Sequence, residues 1–582
     1  MNLIEKYDNT DKQEELNPIE NEIIENYILQ KSRNNYDEIL KNDTRVEVAI
    51  ALSELRHNIL NWYHFDSNSK ILEIDANLGE ITGLLCEKTE KVIATEKNIK
   101  KAKAISKRFE DIQNLDVLVG DADIIDFEEK FDIIIIHSAN RIETAKRHAK
   151  EDGKILLITE NRFGITYFAG ASFENEVFQT IINQDNKVYS KIEIEESLKN
   201  KGLNNYKFYY PLPNYKLPNV IFSDSYLPDE NSTKMMYNLL YEKGSVVVFD
   251  ELKALKQVTK NGLFKLFANS YLVEIKMPGN TDGNSVDFIS FNNNRKKEYQ
   301  LSTVLENNQI TKNMINDKSK KHIESIKLNI ENLKKLGFNI IDSSEENRVL
   351  SKYVDGHTLD KDIAKLIIDE KISSACDVIE RWYDYLKDKF QNNVCKKINE
   401  KFGIKDERTE KMHILKNGYI DIVFENTFLK DDEFLFFDQE WYEDAVPLEF
   451  LLYRAIQNLY AYNSEIESKY LKQEMFKYFK IEEYIDIFEK IEKIIQNNII
   501  DDTSVEFNNQ SLKMLKDINY TSILVNQIND FEENDRKQNQ YIKDLEQDNA
   551  NKQKYIEALE EDNRNKQSYI DVLEEQTKHR RK

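Results

Sequence analysis

Short apolar runs alternate with helical segments between residues 70 and 159. The apolar runs predict five buried strands, at residues 70–74, 91–95, 115–121, 131–136 and 153–159. A helix-like run follows the first of them, and the basic segment 100–108 predicts a helix after the second. Strands as apolar as these are typical of parallel sheets that helices cover on both faces. We therefore predict an α/β fold for this part of the chain.

Acidic residues stand at the ends of the first three predicted strands. Glu96 ends the second strand, and Asp121 ends the third. Parallel sheets bind ligands at the carboxyl ends of their strands, near the point where the strand order switches. From there Glu96 can accept hydrogen bonds from a ribose diol, and Asp121 can accept one from an adenine amine. The pattern predicts a nucleotide-type ligand.

The loop after the first strand carries a family resemblance. Class I S-adenosylmethionine (SAM)-dependent methyltransferases usually have Glu/Asp-x-Gly-x-Gly-x-Gly here, and this chain has Glu73, Asp75, Asn77 and Gly79 at those positions. The resemblance implies a Rossmann-like methyltransferase domain over residues 46–235, after a polar lead-in over 1–45, with SAM as cofactor. It implies the cofactor-binding residues Glu73, Asp75, Asn77, Gly79, Glu96 and Asp121. Asp and Asn carry side chains where the family has glycine, so a related fold that no longer binds the cofactor stays open.

A second module is predicted over residues 245–500. Segments 264–276, 286–291 and 310–312 have the pattern of strands, and segment 318–336 that of a helix. Asp421 is followed by Asn426 and then by Asp438 at the end of an apolar run. In phosphotransferases one such acid orients the acceptor hydroxyl, while the amide and the second acid hold magnesium on the ATP phosphates.

This pattern resembles the aminoglycoside/choline-kinase-like branch of the protein kinase fold. The resemblance implies an α+β kinase-like domain that binds Mg-ATP, with Asp421 as its catalytic residue. It implies Asn426 and Asp438 as magnesium ligands, and Lys312 paired with Glu324 on the ATP phosphates. Tyr419 and Ile420 stand where the family has His-Arg or His-Gly, and no clear glycine-rich loop precedes Lys312. A hairpin that carries surface acids is the alternative interpretation.

The C-terminal segment repeats with a period of two heptads, beginning at Tyr541, Tyr555 and Tyr569. Isoleucine takes heptad position a, leucine takes d, and asparagine takes the intervening a positions: Ile542, Ile556, Ile570, Leu545, Leu559, Leu573, Asn549 and Asn563. This combination favours a parallel homodimeric coiled coil, because a buried asparagine fixes register and oligomeric state. We predict a coiled coil over residues 521–582, with a trimer left open.

The amino-acid composition limits the classes of function that the protein can have. The net charge of the 582-residue chain is −23, which argues against a general nucleic-acid binder because phosphate contact needs basic surface. Its three cysteines have no paired spacing, which fits a reducing cytoplasm. No uncharged apolar run reaches the ~20 residues of a membrane span. We expect a cytoplasmic protein with at most peripheral membrane contact.

The order of the three parts resembles that of bacterial proteins that terminate O-antigen polysaccharides. The resemblance implies a SAM-dependent methyltransferase with a kinase-like domain, acting on a glycan or glycolipid acceptor at the inner face of the membrane. It also implies glycosyltransferase partners. Two alternatives stay open: a degenerate, non-catalytic coiled-coil scaffold that recruits glycosyltransferases, and a small-molecule or protein methyltransferase whose kinase-like module only binds.

Overall fold

The computed structural model describes residues 2–5, 16–30, 36–43, 45–173, 176–182, 188–229, 232, 241–242, 245, 247–281 and 285–580. The chain divides into two compact units, Met1–Leu512 and Lys513–Lys582. Among the helices of the described residues, none combines the length and apolar content needed to cross a bilayer.

Strands β1 to β20 follow one another along the first unit. Their bounds are β1 Asn2–Ile4, β2 Lys70–Ile74, β3 Lys91–Glu96, β4 Leu115–Val119, β5 Phe131–Ile136, β6 Ala149–Glu160, β7 Ser172–Phe173, β8 Glu176–Val177, β9 Tyr206–Leu212, β10 Val220–Ser223, β11 Ser270–Lys276, β12 Val286–Phe291, β13 Leu301–Glu306, β14 Gln309–Met314, β15 Asp342–Glu345, β16 Arg348–Lys352, β17 Ile414–Tyr419, β18 Thr427–Lys430, β19 Glu433–Phe436 and β20 Tyr442–Pro447.

The helices are numbered α1 to α18 in chain order. Their bounds are α1 Pro18–Ile23, α2 Asp37–Asn42, α3 Val46–Leu52, α4 Thr82–Lys88, α5 Ile99–Arg108, α6 Ile142–His148, α7 Ile165–Phe168, α8 Gln179–Ile182, α9 Lys191–Asn200, α10 Glu251–Lys260, α11 Phe264–Phe267, α12 Lys320–Lys335, α13 Leu359–Ile368, α14 Ile372–Phe390, α15 Leu448–Tyr462, α16 Lys472–Tyr478, α17 Ile485–Ile499 and α18 Asp502–Arg580. Short 3₁₀ segments connect several of them, among them Glu54–Ile59 and Ala139–Arg141.

A Rossmann-like parallel sheet forms the first half of the molecule. Its strands lie in the order β4-β3-β2-β5-β6, and all four pairings are parallel. The chain moves from β2 to one side, through β3 and β4, and then to the other side, through β5 and β6. This reversal between β2 and β5 creates the crevice at which open α/β sheets bind ligands. The predicted strands and their parallel arrangement are confirmed.

Beyond β6 the sheet continues with strands from later in the sequence, β9 to β16. β11 lies between β6 and β9 and is antiparallel to both. The order then runs β9-β10-β12-β13-β14-β16-β15 in one continuous sheet. The predicted module boundary at residue 245 therefore precedes a strand that completes the first sheet. Sequence pattern alone does not reveal this insertion, because a strand's neighbours depend on residues far away in the chain.

One predicted strand is partly a helix. The pattern at residues 264–276 predicts a single strand, but Phe264–Phe267 forms α11 and only Ser270–Lys276 is extended. Phe264 and Phe267 are three residues apart and so lie on the same side of a helical turn. Phe264 is buried against the core of the first half, with Tyr210 and Phe222 as ring neighbours. Packing of these aromatic rings explains why a helical turn is favoured here.

The remaining elements build the second half of the first unit. Helix α12 packs on β14, β15 and β16, and helices α13 to α17 enclose one hydrophobic core together with the antiparallel strand pairs β17–β20 and β18–β19. The core includes Trp382, Phe424 and Phe450, all fully buried. This half places β14 and α12 beside the segment 421–441, part of which lines a cleft.

The second unit belongs to one long helix. α18 runs from Asp502 to Arg580, and the leucines and isoleucines of its repeat are 44–51% exposed in the single chain: Ile542, Leu545, Ile556, Leu559, Ile570 and Leu573. The helical part of the tail prediction is confirmed. Its pairing with a second copy stays a prediction.

Candidate functional site

The loop after β2 has an unusual backbone. Asp75, Asn77 and Gly79 have φ angles of 57°, 53° and 75°, so three alternate residues are left-handed. Glycine adopts this conformation freely, and Asn and Asp tolerate it better than other residues do. The two positions that depart from the glycine motif therefore keep a backbone of the kind that glycine permits.

Glu96 fixes this loop to the start of α5. Its two carboxylate oxygens each accept a backbone N–H at 2.9 Å, one from Asn77 and one from Asn98. Lys101 of α5 donates to Oδ1 of Asn77 at 2.7 Å. Burial is the main reason that the pKa of Glu96 rises to about 7. The predicted ribose acceptor thus lies at the end of β3 as expected, and it also supports the loop.

Arg141 spans the crevice between β2 and the strands beside it. Its Nε and Nη2 contact the carboxylate of Asp75 at 2.8 and 3.2 Å, and its Nη1 contacts Asp121 at 2.9 Å and Asp123 at 2.8 Å. Burial would raise the pKa of Asp121, but the N–H of Asp123, Lys97 and Arg141 lower it overall. Arg141 is only 9% exposed. Sequence reasoning missed it, although it follows β5 closely.

Glu73 lies beneath the loop. Its side chain is fully buried, and its Oε2 accepts a hydrogen bond from the Thr82 hydroxyl at 2.6 Å. Its Oε1 has no hydrogen-bond partner. Burial raises the pKa of Glu73 to about 8, so its carboxyl group is mostly protonated at neutral pH. In this structure Glu73 supports α4, and its predicted contact with a cofactor stays a prediction.

A second set of polar groups lies where β5 and β6 end. His137 directly follows β5, and burial together with the charge of Arg56 lowers the pKa of His137 to about 3. The Arg56 guanidinium lies 4.6 Å from the ring centre of Tyr215 and donates to the carbonyl of that residue. The Nε of Arg56 has no hydrogen-bond partner. A neutral imidazole and a buried cation therefore lie close together beside the crevice.

Lys216 extends this set towards β6. Its ammonium group is 3.0 Å from Oε1 of Glu160, the last residue of β6, and it also contacts Glu242. Burial opposes the charge on Lys216, but the two carboxylates hold its pKa above the ordinary value. Oε2 of Glu160 is buried without a hydrogen-bond partner. His137, Glu160 and Lys216 share one sequence signal, a position at or shortly after the end of an apolar strand, whereas Arg56 lies in the 3₁₀ segment before β2.

The three predicted phosphotransferase residues also come together, in the second half of the unit. Asp421, Asn426 and Asp438 line one cavity of about 400 Å³. Asp421 Oδ2 accepts the backbone N–H groups of Glu440 and Trp441, both at 2.9 Å. Burial is the main reason that the pKa of Asp421 rises to about 7.

The predicted magnesium ligands face protein groups in this structure. The Asn426 amide donates to the carbonyls of Asp421 at 3.1 Å and Asp438 at 3.4 Å, and the Asp438 carboxylate contacts Lys312. Among the residues that the structure describes, no group of three or more His, Cys, Asp or Glu side chains is arranged to hold a metal ion. The metal assignment stays a prediction.

Lys312 does not pair with Glu324. Its ammonium group contacts the carboxylates of Asp438 and Glu440, while Glu324 is solvent-exposed. The reason is helical periodicity, since α12 turns His322, Ile326 and Asn329 towards the core and leaves residue 324 on the opposite face.

Glu440 is the centre of this cluster. Its Oε2 also contacts Arg295, and it lies 3.6 Å from Nε2 of His322. Burial would raise the pKa of Glu440, but Arg295 and Lys312 hold it well below the ordinary value. Glu440 therefore takes the place beside the lysine that the sequence assigned to Glu324.

No family model and no curated protein matches the sequence. Similar solved structures include phosphoethanolamine N-methyltransferase 1 of Haemonchus contortus, with 13% identity over 44% of this chain and a TM-score of 0.26. The chain spans about half the length of that enzyme, 50%. A methyltransferase-like protein of Bacillus halodurans has 15% identity, with 39% of this chain and 99% of that one covered and a TM-score of 0.23. The plantazolicin methyltransferase BamL has 12% identity, with 42% and 88% covered and a TM-score of 0.24. These values identify no reaction, and the fold assignment rests on the strand order.

Proposed function

We propose that the protein binds SAM at the carboxyl edge of the parallel sheet and transfers its methyl group to an acceptor oxygen. The observation that carries this proposal is the left-handed backbone at Asp75, Asn77 and Gly79. It preserves the form of a glycine-rich loop at the end of β2, beside the strand-order switch. Ligands of open α/β sheets bind at that place.

The residues at this edge fit the cofactor. In its ionised form, about half of the molecules at neutral pH for a pKa of about 7, Glu96 has about four acceptor positions, so it keeps positions for a ribose diol after it has accepted two backbone N–H groups. Asp121 lies at the neighbouring strand end, where it would accept from an adenine amine. Asp75, Asn77 and Gly79 would form the loop beneath the cofactor, over Glu73. When bound, SAM supplies an electrophilic methyl group on a sulfonium.

Arg56 is the group on the acceptor side that would contact an anionic acceptor. It is a buried cation with an unpaired Nε, whereas the charge of Lys216 is compensated by Glu160 and Glu242. An anionic acceptor oxygen needs no general base because it is already ionised. His137, a neutral imidazole, would accept a hydrogen bond from a hydroxyl acceptor instead. Positioning of the acceptor relative to the methyl group would then supply most of the rate enhancement.

At a finer level, we propose modification or termination of a bacterial surface polysaccharide, with a glycan or glycolipid acceptor. The support is the order along the chain: a Rossmann-like half, a cleft that contains Asp421, Asn426 and Asp438, and a long helix. The cleft would bind Mg-ATP for a phosphotransferase step. Its action on a lipid-linked glycan would place the protein at the inner face of the membrane, with glycosyltransferases as partners.

The long helix supports a further part of this proposal, a parallel homo-oligomer. Its exposed isoleucine and leucine stripe has the heptad spacing that a second copy would bury. Leu559→Asn should reduce the mass measured by light scattering on the full chain from that of an oligomer to that of a single chain. Glu557→Gln, on the same turn, should leave the mass unchanged. A single-chain mass for the unmodified protein would contradict the proposal.

The competing function is a scaffold without catalysis. Arg141 favours it, because this side chain already bridges Asp75 and Asp121 across the crevice. In a scaffold, this bridge would permanently replace the cofactor's contacts. The cofactor proposal requires instead that SAM binds with Arg141 displaced or beside it.

Calorimetry on the full chain tests whether the protein is a SAM-dependent enzyme or a scaffold without catalysis. We expect SAM to bind at concentrations on the order of 1 mM or below. Asp121→Asn should weaken binding about 10-fold, since one hydrogen bond to a charged group contributes about 1.5 kcal/mol or more. The matched control is Asp126→Asn, an exposed acid of the same loop, which should leave binding unchanged. Mg-ATP binding that is lost in Asp438→Ala would test the second cleft separately.

Absence of SAM binding at millimolar concentration, in protein that unfolds cooperatively, would contradict the enzyme proposal. The scaffold would then be the preferred function. Binding of SAM without binding of Mg-ATP would restrict the catalytic proposal to the first half of the unit.

A further inference from the structure

A large groove lies at the edge of the sheet opposite to the proposed cofactor site. Its volume is about 1070 Å³, and its lining includes Ser69, just before β2, and Asp132, near the start of β5. The proposed cofactor site lies at the other ends of these strands. A five-residue strand such as β2 is roughly 16 Å long at ~3.3 Å per residue. The groove is therefore a separate place on the molecule.

One wall of the groove is a row of aromatic rings. The ring centres of Trp62 and Tyr63 are 5.8 Å apart, and those of Tyr63 and Phe65 are 5.0 Å apart, both in edge-to-face contact. Trp62 and Phe65 are only partly buried. Because neighbouring rings meet edge to face and Tyr63 is buried, the apolar surface of this wall consists of the exposed parts of Trp62 and Phe65.

A buried carboxylate lies at the base of this wall. The Glu274 side chain is 1% exposed, and its Oε1 accepts from the Tyr63 hydroxyl at 2.6 Å, with the Lys154 ammonium 3.9 Å away. Its Oε2 has no hydrogen-bond partner. A buried polar atom without a partner costs free energy, and native proteins rarely leave one unless a ligand or water can satisfy it. Glu274 lines the groove, so a donor group of a bound molecule could reach it.

Polar and charged side chains of the later strands also line the groove, among them Glu306 of β13 and Arg348 of β16. Ser302 of β13 and Thr311 and Asn313 of β14 line it as well. Side chains alternate across a strand, so Lys312, between Thr311 and Asn313, points to the other face and contacts Asp438 and Glu440. Hydroxyl and amide groups on the groove face can donate and accept, as a ligand rich in hydroxyl groups requires.

We propose that this groove binds an oligosaccharide. A sugar ring has apolar C–H faces that pack against aromatic rings and hydroxyl edges that donate to carboxylates. The combination of Trp62, Glu274 and Asn313 matches both properties. The volume is at the upper end of pockets for single small ligands, which indicates a ligand of more than one sugar ring.

An organic cation is the main competing ligand, because the groove is lined by five acidic residues, Asp66, Asp132, Asp152, Glu274 and Glu306, and by three basic ones, Lys88, Lys154 and Arg348. One observation disfavours it. Cation-binding aromatic sites place several rings around the charge, whereas Tyr63 is buried and only Trp62 and Phe65 are partly exposed. The oligosaccharide proposal does not rest on cofactor binding, because every group that carries it belongs to the opposite edge of the sheet.

The test is saturation-transfer difference NMR on the full chain without SAM. The probes are four trisaccharides, built from glucose, mannose, galactose and N-acetylglucosamine, with tetramethylammonium as a competitor. We expect saturation transfer to at least one trisaccharide and no displacement by tetramethylammonium. Thr311→Tyr, which fills the groove from a strand position, should abolish the signal. Glu274→Gln keeps an acceptor for Tyr63 and should weaken binding about 10-fold, because hydrogen bonds to ionised acceptors are the stronger ones.

Two matched variants control for folding. Ser344→Tyr alters an exposed position on β15, and Glu331→Gln alters an exposed acid on α12. Both should bind as the unmodified protein does. Absence of transfer to all four trisaccharides, or transfer that is unchanged in both Thr311→Tyr and Glu274→Gln, would overturn the proposal. Displacement by tetramethylammonium would overturn it in favour of a cation site. Because SAM is absent, these outcomes are independent of the calorimetric test.

Discussion

The loop after β2 and the cleft around Lys312 each contain a sequence motif with altered residues, but the structure accommodates the alterations differently in the two places. In the loop, Asp75 and Asn77 keep the left-handed backbone that glycine would provide, and their side chains are held by Arg141 and Lys101. In the cleft, the motif residues assemble, but the lysine's partners are acids of the segment 438–440 rather than a helical glutamate.

The difference separates two kinds of structural requirement. A backbone angle is a property of one residue, so the range of side chains that satisfy it is narrow and visible in the sequence. A charge pair is a property of two distant residues, and any suitably placed acid can satisfy it. The loop should therefore be sensitive to backbone substitutions, and the cleft to substitutions that remove charge.

The largest effect is expected when the cleft loses its cation. Lys312→Met should lower the free energy of unfolding by about 3–5 kcal/mol, the usual cost of leaving a buried ion pair without one partner. Urea denaturation measures it. Lys321→Met, an exposed lysine on α12, should change stability by less than about 0.5 kcal/mol. If Lys312→Met behaves like that control, the charges of the cleft are not held by pairing.

A smaller effect depends on pH and concerns the acid beneath the loop. The pKa of Glu73 is raised to about 8 in the folded state, so the folded protein binds a proton that the unfolded chain releases at lower pH. The contribution of Glu73 to the free energy of unfolding should therefore be greatest below about pH 4.5 and fall as pH rises to about 8. Relative to Glu73→Gln, the unmodified protein should lose about 2–4 kcal/mol between these limits.

Thermal unfolding across this pH range gives the comparison. Glu90→Gln, an exposed acid near the same helix, should follow the unmodified protein at every pH. Parallel curves for Glu73→Gln and the unmodified protein would show that Glu73 is ionised in the folded state.

The smallest effect isolates the backbone of the loop. Asp75→Gly and Asp75→Ala both lose the contact with Arg141, but only alanine must adopt φ near 57° at a steric cost. Asp75→Ala should therefore be less stable than Asp75→Gly by about 1 kcal/mol. At Asp126, which is not left-handed, the order should reverse, because glycine loses more conformational entropy on folding. Equal stabilities of the two Asp75 variants would show that the loop relaxes.

The elements of the first sheet were predictable because their signals are local. Continuous apolar runs predicted β2 to β6, and the acids that follow these runs predicted that Glu96 and Asp121 lie at strand ends. The insertion of β11 beside β6 was not predictable, since antiparallel pairing between Leu157 and Val273 leaves no local pattern. The pairing of Lys312 with Glu324 was wrong for a related reason. The face of α12 that packs against the core is set by tertiary packing, and the position of a single acid in the sequence does not predict it.

Among the candidate-site residues, the clustering of Asp421, Asn426 and Asp438 was predictable from a short spacing within one segment. Arg141, Arg56 and Lys216 were not, because each gains its role only when distant strands bring it to the same edge. Arg141 and Lys216 lie shortly after apolar strands, a weak signal shared with many surface residues, and Arg56 lies in the 3₁₀ segment before β2.

Strand β14 lies between the groove and the smaller cleft. Thr311 and Asn313 belong to the groove, and Lys312 between them contacts the acids of the smaller cleft. A slip of one residue in the register of this strand would turn the lysine into the groove and the neutral side chains into the cleft. The register of β14 with β13 and β16 therefore keeps the lysine in the cleft and the neutral side chains in the groove. A molecule that distorts this strand from one side would also change the position of the side chains on the other side.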